Sequence, residues 1–206
     1  MDFIMKVLIN VISFSLLSVV IFSCSPSMQF ANLYVDDAYK GMQIKKVLVV
    51  GMAKEEWKRK VYENEFRQEL MKHNVEVLTA WQELPKGETI SKETFYKYFS
   101  DKNIDAVFVV MAAGSKTEQT MSRGGSSNVY VGFYGFYVSS ASFYYSPVTT
   151  SEESVVYMKT NIFETTEGIL IWSAQSQSFE PQSTGDVIKT VSYNVVNELS
   201  IQGYIK

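Results

Sequence analysis

The sequence predicts an α/β domain of mixed (α+β) character. A β-α-β-α-β half is followed by an antiparallel hairpin and a C-terminal helix, giving one mixed sheet with helices packed on it. Three observations carry this. Lys45–Gly51 and Asp105–Met111 are short, Val-rich apolar runs, the pattern of strands buried on both faces of a parallel sheet. The stretch between them carries two helical patterns, so the strands are joined by right-handed crossovers. Beyond them, two runs flank Glu164-Thr-Thr-Glu-Gly168, a turn-like link ending in Gly, which reads as a hairpin.

The elements follow in order. Lys45–Gly51 is the first strand of this half. Glu55 to His73 is a helix whose Tyr62, Phe66 and Leu70 form an i, i+4, i+8 stripe. Glu55–Arg59, Glu56–Lys60, Glu63–Arg67 and Glu69–His73 are acid-before-base pairs at i, i+4 on its surface. Asn74 suits a left-handed C-cap, and Val75 to Ala80 is the next strand. Ser91 caps a helix through Phe95, Tyr98 and Phe99, with Asn103 as its stop. Asp105–Met111 is the third strand. Ser154–Phe163 and Ile169–Phe179 form the hairpin, where Leu170, Trp172 and Ala174 alternate toward one face and make Trp172 a core residue rather than a surface anchor. Ser183-Thr-Gly-Asp186 fits a capping box, Ile188, Val191, Val195 and Leu199 supply the last helix's stripe, and Gly203 ends it.

The N-terminus reads as an address. Val7 to Phe22 is sixteen residues without a charge, following Lys6 and Asp2. At 1.5 Å per residue it covers about 24 Å, short for a bilayer core of about 30 Å and suited to a signal-peptide apolar region. The chain's one cysteine, Cys24, follows in Val20-Ile-Phe-Ser-Cys24. This resembles a bacterial lipoprotein signal, with Ser23 in the small position, Ile21 in the aliphatic one, and Phe22 larger than is usual. The resemblance implies cleavage before Cys24, its lipidation and a membrane anchor. With Ser25 and Pro26 following in place of Asp, it favours the outer membrane. The alternative is an uncleaved anchor helix followed by a structural cysteine. The expected organisation is therefore a signal peptide at 1–23, lipidated Cys24 and a tether to 44, and one α/β domain at 45–206. The tether carries a short ordered piece around Phe30 to Val35.

Lys46-Val-Leu-Val-Val-Gly51, the charged helix, Asp105-Ala-Val-Phe-Val-Val110 and the hairpin Asn161-Ile-Phe-Glu-Thr-Thr-Glu-Gly-Ile-Leu-Ile-Trp-Ser-Ala174 together resemble small bacterial envelope lipoproteins. The same plan occurs in the N-terminal domain of TolB, in lipoprotein activators of penicillin-binding proteins and in the curli secretion lipoprotein. The resemblance covers about residues 45–205 and implies a binding or assembly component of the cell envelope, not an enzyme.

One segment differs from the rest. Gly124–Pro147 has 24 residues, no charge, five Tyr (Tyr130, Tyr134, Tyr137, Tyr144, Tyr145) and three Phe (Phe133, Phe136, Phe143). A third of it is aromatic, against 14% of the whole chain. It lies in a link of about forty residues, 112–152, far longer than ordinary connections. Three readings stand: an extra hairpin or loop packing its aromatics on the domain, a protein-binding surface of Tyr with Gly and Ser, or a glycan or cell-wall contact through aromatic stacking. The second makes these eight aromatics the partner-binding residues, for an envelope protein or a second copy.

Composition excludes several chemistries. One Cys and one His among 206 residues rule out an internal disulfide, a Cys-based zinc site and multi-His sites. His73 falls at a helix end, where a cation complements the dipole. A formal net charge of −3 argues against a general nucleic-acid binder. Gly114-Ser-Lys116 lacks the order of a phosphate loop, and Gly51 has no second glycine for a dinucleotide fingerprint. Asp36-Asp37, Glu55-Glu56 and Glu152-Glu153 lack calcium-loop spacing. No cofactor or metal is expected. A hydrolase whose carboxylates meet only in three dimensions is the remotest reading.

Overall fold

The computed structural model describes residues 28–88, 90–113, 155–179 and 183–206. Cys24, the signal and the aromatic segment 124–147 lie outside the described residues. Six strands form one mixed sheet: β1 (Met28–Val35), β2 (Lys46–Met52), β3 (Glu76–Thr79), β4 (Ala106–Ala113), β5 (Val155–Glu164) and β6 (Leu170–Phe179), in the order β1-β6-β5-β4-β2-β3. The helices are α1 (Glu56–Met71), a single turn α2 (Ala80–Glu83), α3 (Lys92–Phe99) and α4 (Thr184–Ile201). β2 pairs in parallel with β3 on one side and β4 on the other. β4–β5 and β5–β6 are antiparallel. The expected β-α-β-α-β half, hairpin and final helix are all present.

The Val-rich strands bury both faces because helices cover both. Val47 and Val49 point into a core with Tyr62, Phe66 and Leu70 of α1 and Val187, Ile188, Val191, Val195 and Leu199 of α4. Leu48, Val50 and Met52 point the other way, onto Phe95 and Phe99 of α3. Trp172 is fully buried beneath α4, and its Nε1–H donates to Gln202 Oε1 at 3.0 Å.

The helix ends follow local sequence. Ser91 and Thr94 form a reciprocal capping box on α3. Ser183 Oγ accepts from the Asp186 N–H at 3.1 Å at the start of α4. Asn74 (φ 58°), Asn103 (φ 49°) and Gly203 (φ 80°) take the left-handed conformation at the three expected stops.

The stretch expected as a tether differs from Met28 onward. Met28–Val35 is a full edge strand, antiparallel to β6 from Met28↔Ser178 to Val35↔Trp172, with an irregularity between Phe30 and Asn32. Met28, Phe30, Val35, Tyr39 and Met42 pack on the core and Ile44 lies within it. The ordered piece is thus longer than expected, because apolar residues spaced through polar ones fill one side of an edge strand.

Candidate functional site

Strand directions place many chain ends at one end of the sheet. The carboxyl ends of β2, β3 and β4 lie there, and so do the start of β5, the end of β6 and the start of β1 (Ala113↔Tyr157, Val155↔Phe179, Met28↔Ser178). The α-helices that follow β2, β3 and β6, namely α1, α2 and α4, begin at this end, whereas a 3-10 turn at Asp37–Tyr39 follows β1 at the other. The strand order reverses between β2 and β4, where α/β sheets ordinarily hold ligands outside the carboxyl ends. Ala113 and Val155, which bracket residues 114–154, both stand here.

The centre of this end is held by Glu63. Its Oε1 accepts the Gly51 N–H at 2.9 Å and its Oε2 accepts the Trp81 N–H at 2.8 Å. The residue is completely buried, joining α1, the end of β2 and the start of α2. Burial pushes its carboxyl up to about 7, against the pull of the Trp81, Gly51 and Ala80 N–H groups and the Arg59 charge. Gly51 is required by the same approach. A Cβ there would lie 2.9 Å from the Arg59 carbonyl oxygen and 3.2 Å from its Cα. With both oxygens taken by backbone donors and no exposed surface, Glu63 is a structural staple.

This corrects the surface pairing expected for α1. Glu63 does not pair with Arg67, whose guanidinium donates to Gln82 Oε1 at 3.0 Å. Glu55 pairs with Lys58 at 3.1 Å and Glu69 with Lys72 at 2.6 Å, one residue nearer than expected in each case. Glu56–Lys60, at 2.8 Å, stands as expected. A signal for Glu63 existed: Phe66 and Leu70 follow it at i+3 and i+7, so it falls inside the apolar stripe.

Around the staple the surface is aromatic and cationic. Trp57, in the first turn of α1, is 55% exposed, and Lys58 Nζ sits 5.5 Å from its ring. Lys60 Nζ lies 5.2 Å from the ring of Trp81, whose Nε1–H donates to Asn64 Oδ1 at 3.3 Å. Lys86, in the exposed loop after α2, lies close enough to help hold the Glu56 carboxyl below its usual range, an effect led by the Lys60 hydrogen bond. His73 closes α1 at the opposite end, its N–H bonded to Leu70 O at 3.0 Å. Among the described residues, no three His, Cys, Asp or Glu side chains converge as a metal site. No described helix is long and apolar enough to cross a membrane. Of the sequence-predicted site residues, Cys24, Tyr130, Phe133, Tyr134, Phe136, Tyr137, Phe143, Tyr144 and Tyr145 fall outside the described residues, on chain leading to Met28 or lying between Ala113 and Val155.

No protein-family model matches the chain, and no curated protein matches it. Among solved structures it is similar to the PelC dodecamer from Paraburkholderia phytofirmans, with 11% identity over 87% of this chain and 100% of that one and a TM-score of 0.47. A point variant of the same dodecamer gives 11% identity, 86% and 98% coverage and a TM-score of 0.44. A PDZ domain protein from Parabacteroides distasonis gives 11% identity over 88% of this chain and 38% of that chain, with a TM-score of 0.39.

Proposed function

We propose that the chain is a lipid-anchored, non-enzymatic module of the bacterial envelope, tethered at the outer membrane through Cys24, that presents the aromatic segment 124–147 to a protein partner. What supports this reading is one topological fact. The chain enters the sheet at Met28, four residues after Cys24, at the same end where Ala113 and Val155 bracket residues 114–154. Four residues span at most about 14 Å. An anchor at Cys24 therefore holds this end of the sheet near the lipid, with the aromatic segment joined to it there. The neutral Tyr, Gly and Ser composition supplies large contact area with adaptable hydrogen bonding.

The test is photo-crosslinking in intact cells from a probe replacing Tyr134, with a probe at Tyr193, which is 58% exposed on α4, as control. The reading expects a discrete protein adduct from Tyr134 alone. Adducts to cell-wall material only, or equal adducts from both sites, would overturn partner binding through this segment.

A further inference from the structure

Resting on the anchored reading above, we infer that the exposed Trp57 and the cations beside it form a second contact with the membrane, seated on anionic phospholipid headgroups. Three observations meet here. First, the end of the sheet carrying Met28 also carries the start of α1, so a lipid at Cys24 brings the first turn of α1 toward the bilayer. Four strand spacings separate β1 from β2, about 19 Å, which puts the contact well to one side of the tether and makes two-point seating possible. Second, Trp57 stands in that first turn. Helical side chains lean toward the helix N-terminus, so its ring is carried toward the same end. Its 55% exposure is large for the most amphipathic of the aromatic side chains, which favours the headgroup level of a bilayer.

Third, the flanking charge fits an anionic surface. Residues 54–60 hold Lys54, Lys58, Arg59 and Lys60 against Glu55 and Glu56, a local excess of +2 in a chain of net −3. Lys86 adds a further cation beside Glu56, set against Glu88 in the same loop and Asp186 in the first turn of α4. Lys58 lies over the indole while paired with Glu55, so the excess charge of this turn is that of Lys54 and Arg59, beside the ring. Each basic side chain near an anionic membrane surface contributes about 1 kcal/mol of attraction.

The test uses the full lipidated chain reconstituted into vesicles of phosphatidylglycerol and phosphatidylcholine whose acyl chains are brominated near the headgroup. Tryptophan emission is recorded for the native protein, Trp57→Phe and Cys24→Ala, alongside flotation. Trp172 is fully buried, so quenching reports the other two indoles. The inference expects at least a twofold loss of quenching in Trp57→Phe, and stronger quenching of the native protein on anionic than on pure phosphatidylcholine vesicles. Quenching equal in native and Trp57→Phe protein, with flotation intact and lost in Cys24→Ala, would overturn headgroup docking and leave the anchor standing. Native protein that fails to float would overturn the anchor and this inference together.

Discussion

The two ends of the sheet are closed by the same device used at different depths. At the amino end of the parallel strands, Glu164 gathers the N–H groups of Thr166, Glu167 and Ile169 at 2.7, 2.6 and 3.1 Å. Asp105 there accepts the N–H groups of Lys45 and Lys46, both at 2.8 Å. The Gln43 amide to Gly203 and the Thr165 hydroxyl to Ile104 add further ties. At the carboxyl end one fully buried carboxylate, Glu63, joins three elements. Glu164 organises a turn five residues long, so its partners are local. Glu63 reaches Trp81, eighteen residues away, from α1 past β3 to the start of α2. The amino end is thus closed redundantly, by local bonds in the turn and by several separate ties between segments distant in sequence. At the carboxyl end, where Ala113 and Val155 bracket residues 114–154, Glu63 is the buried carboxylate that ties α1 to both the end of β2 and the start of α2, with Trp81–Asn64 and Arg67–Gln82 as lesser ties between the two helices.

That contrast can be broken most strongly at Glu63. Glu63→Ala leaves the Gly51 and Trp81 N–H groups buried without their acceptor and is expected to cost about 3 kcal/mol, read from the urea midpoint at pH 6. A loss under 1 kcal/mol would mean that water or another group takes over.

Proton linkage gives the next effect. Glu63 has a folded value of about 7 and an ordinary value of 4.5. The native state therefore holds a proton that the unfolded chain has released between pH 4.5 and 7. The stability it contributes is full below 4.5 and is lost as pH rises through 7, by about 3 kcal/mol at most. Denaturation of native protein from pH 4.5 to 8 should show this fall, and Glu63→Gln should flatten it.

Gly51→Ala is expected to cost about 2 kcal/mol by overpacking, because its methyl meets backbone atoms of Arg59 that cannot rotate away. Thermal unfolding checks it. The smallest effect is at the opposite end. Glu164→Ala should cost about 1 kcal/mol, since the N–H groups it releases lie in a turn where Thr166 and Glu167 are exposed to water. A Glu164→Ala loss exceeding that of Glu63→Ala would reverse the comparison of the two ends.

Much of the fold was legible because its strands are extreme. Val47–Val50 and Val107–Val110 are apolar at every position, and only a strand covered on both faces calls for that. Helix stops at Asn74, Asn103 and Gly203 were legible because left-handed backbone selects few residue types. The full length of β1 was not. Leu33 and Tyr34 of this edge strand are 44% and 42% exposed and Asn32 faces solvent, so no clean alternation marks it. For Glu63 its place in the apolar stripe signalled burial but not its role, because its spacing to Arg67 imitates a surface pair and its true partners are backbone groups of two other elements. The turn α2 escaped for the same reason. Its start is tied to a carboxylate from α1 and not to a cap in its own sequence.

The most direct test of a membrane-facing carboxyl end uses the lipidated chain, in which Cys24 is blocked and an introduced cysteine is the one labelling site. A fluorophore at Lys86→Cys, in the loop after α2, is compared with one at Glu167→Cys, in the β5–β6 turn at the far end. Ten residues of strand separate the two ends by about 33 Å. Quencher carried on lipid headgroups should strongly dim the label at Lys86→Cys and leave that at Glu167→Cys nearly unchanged. Equal quenching, or stronger quenching at Glu167→Cys, would contradict the orientation.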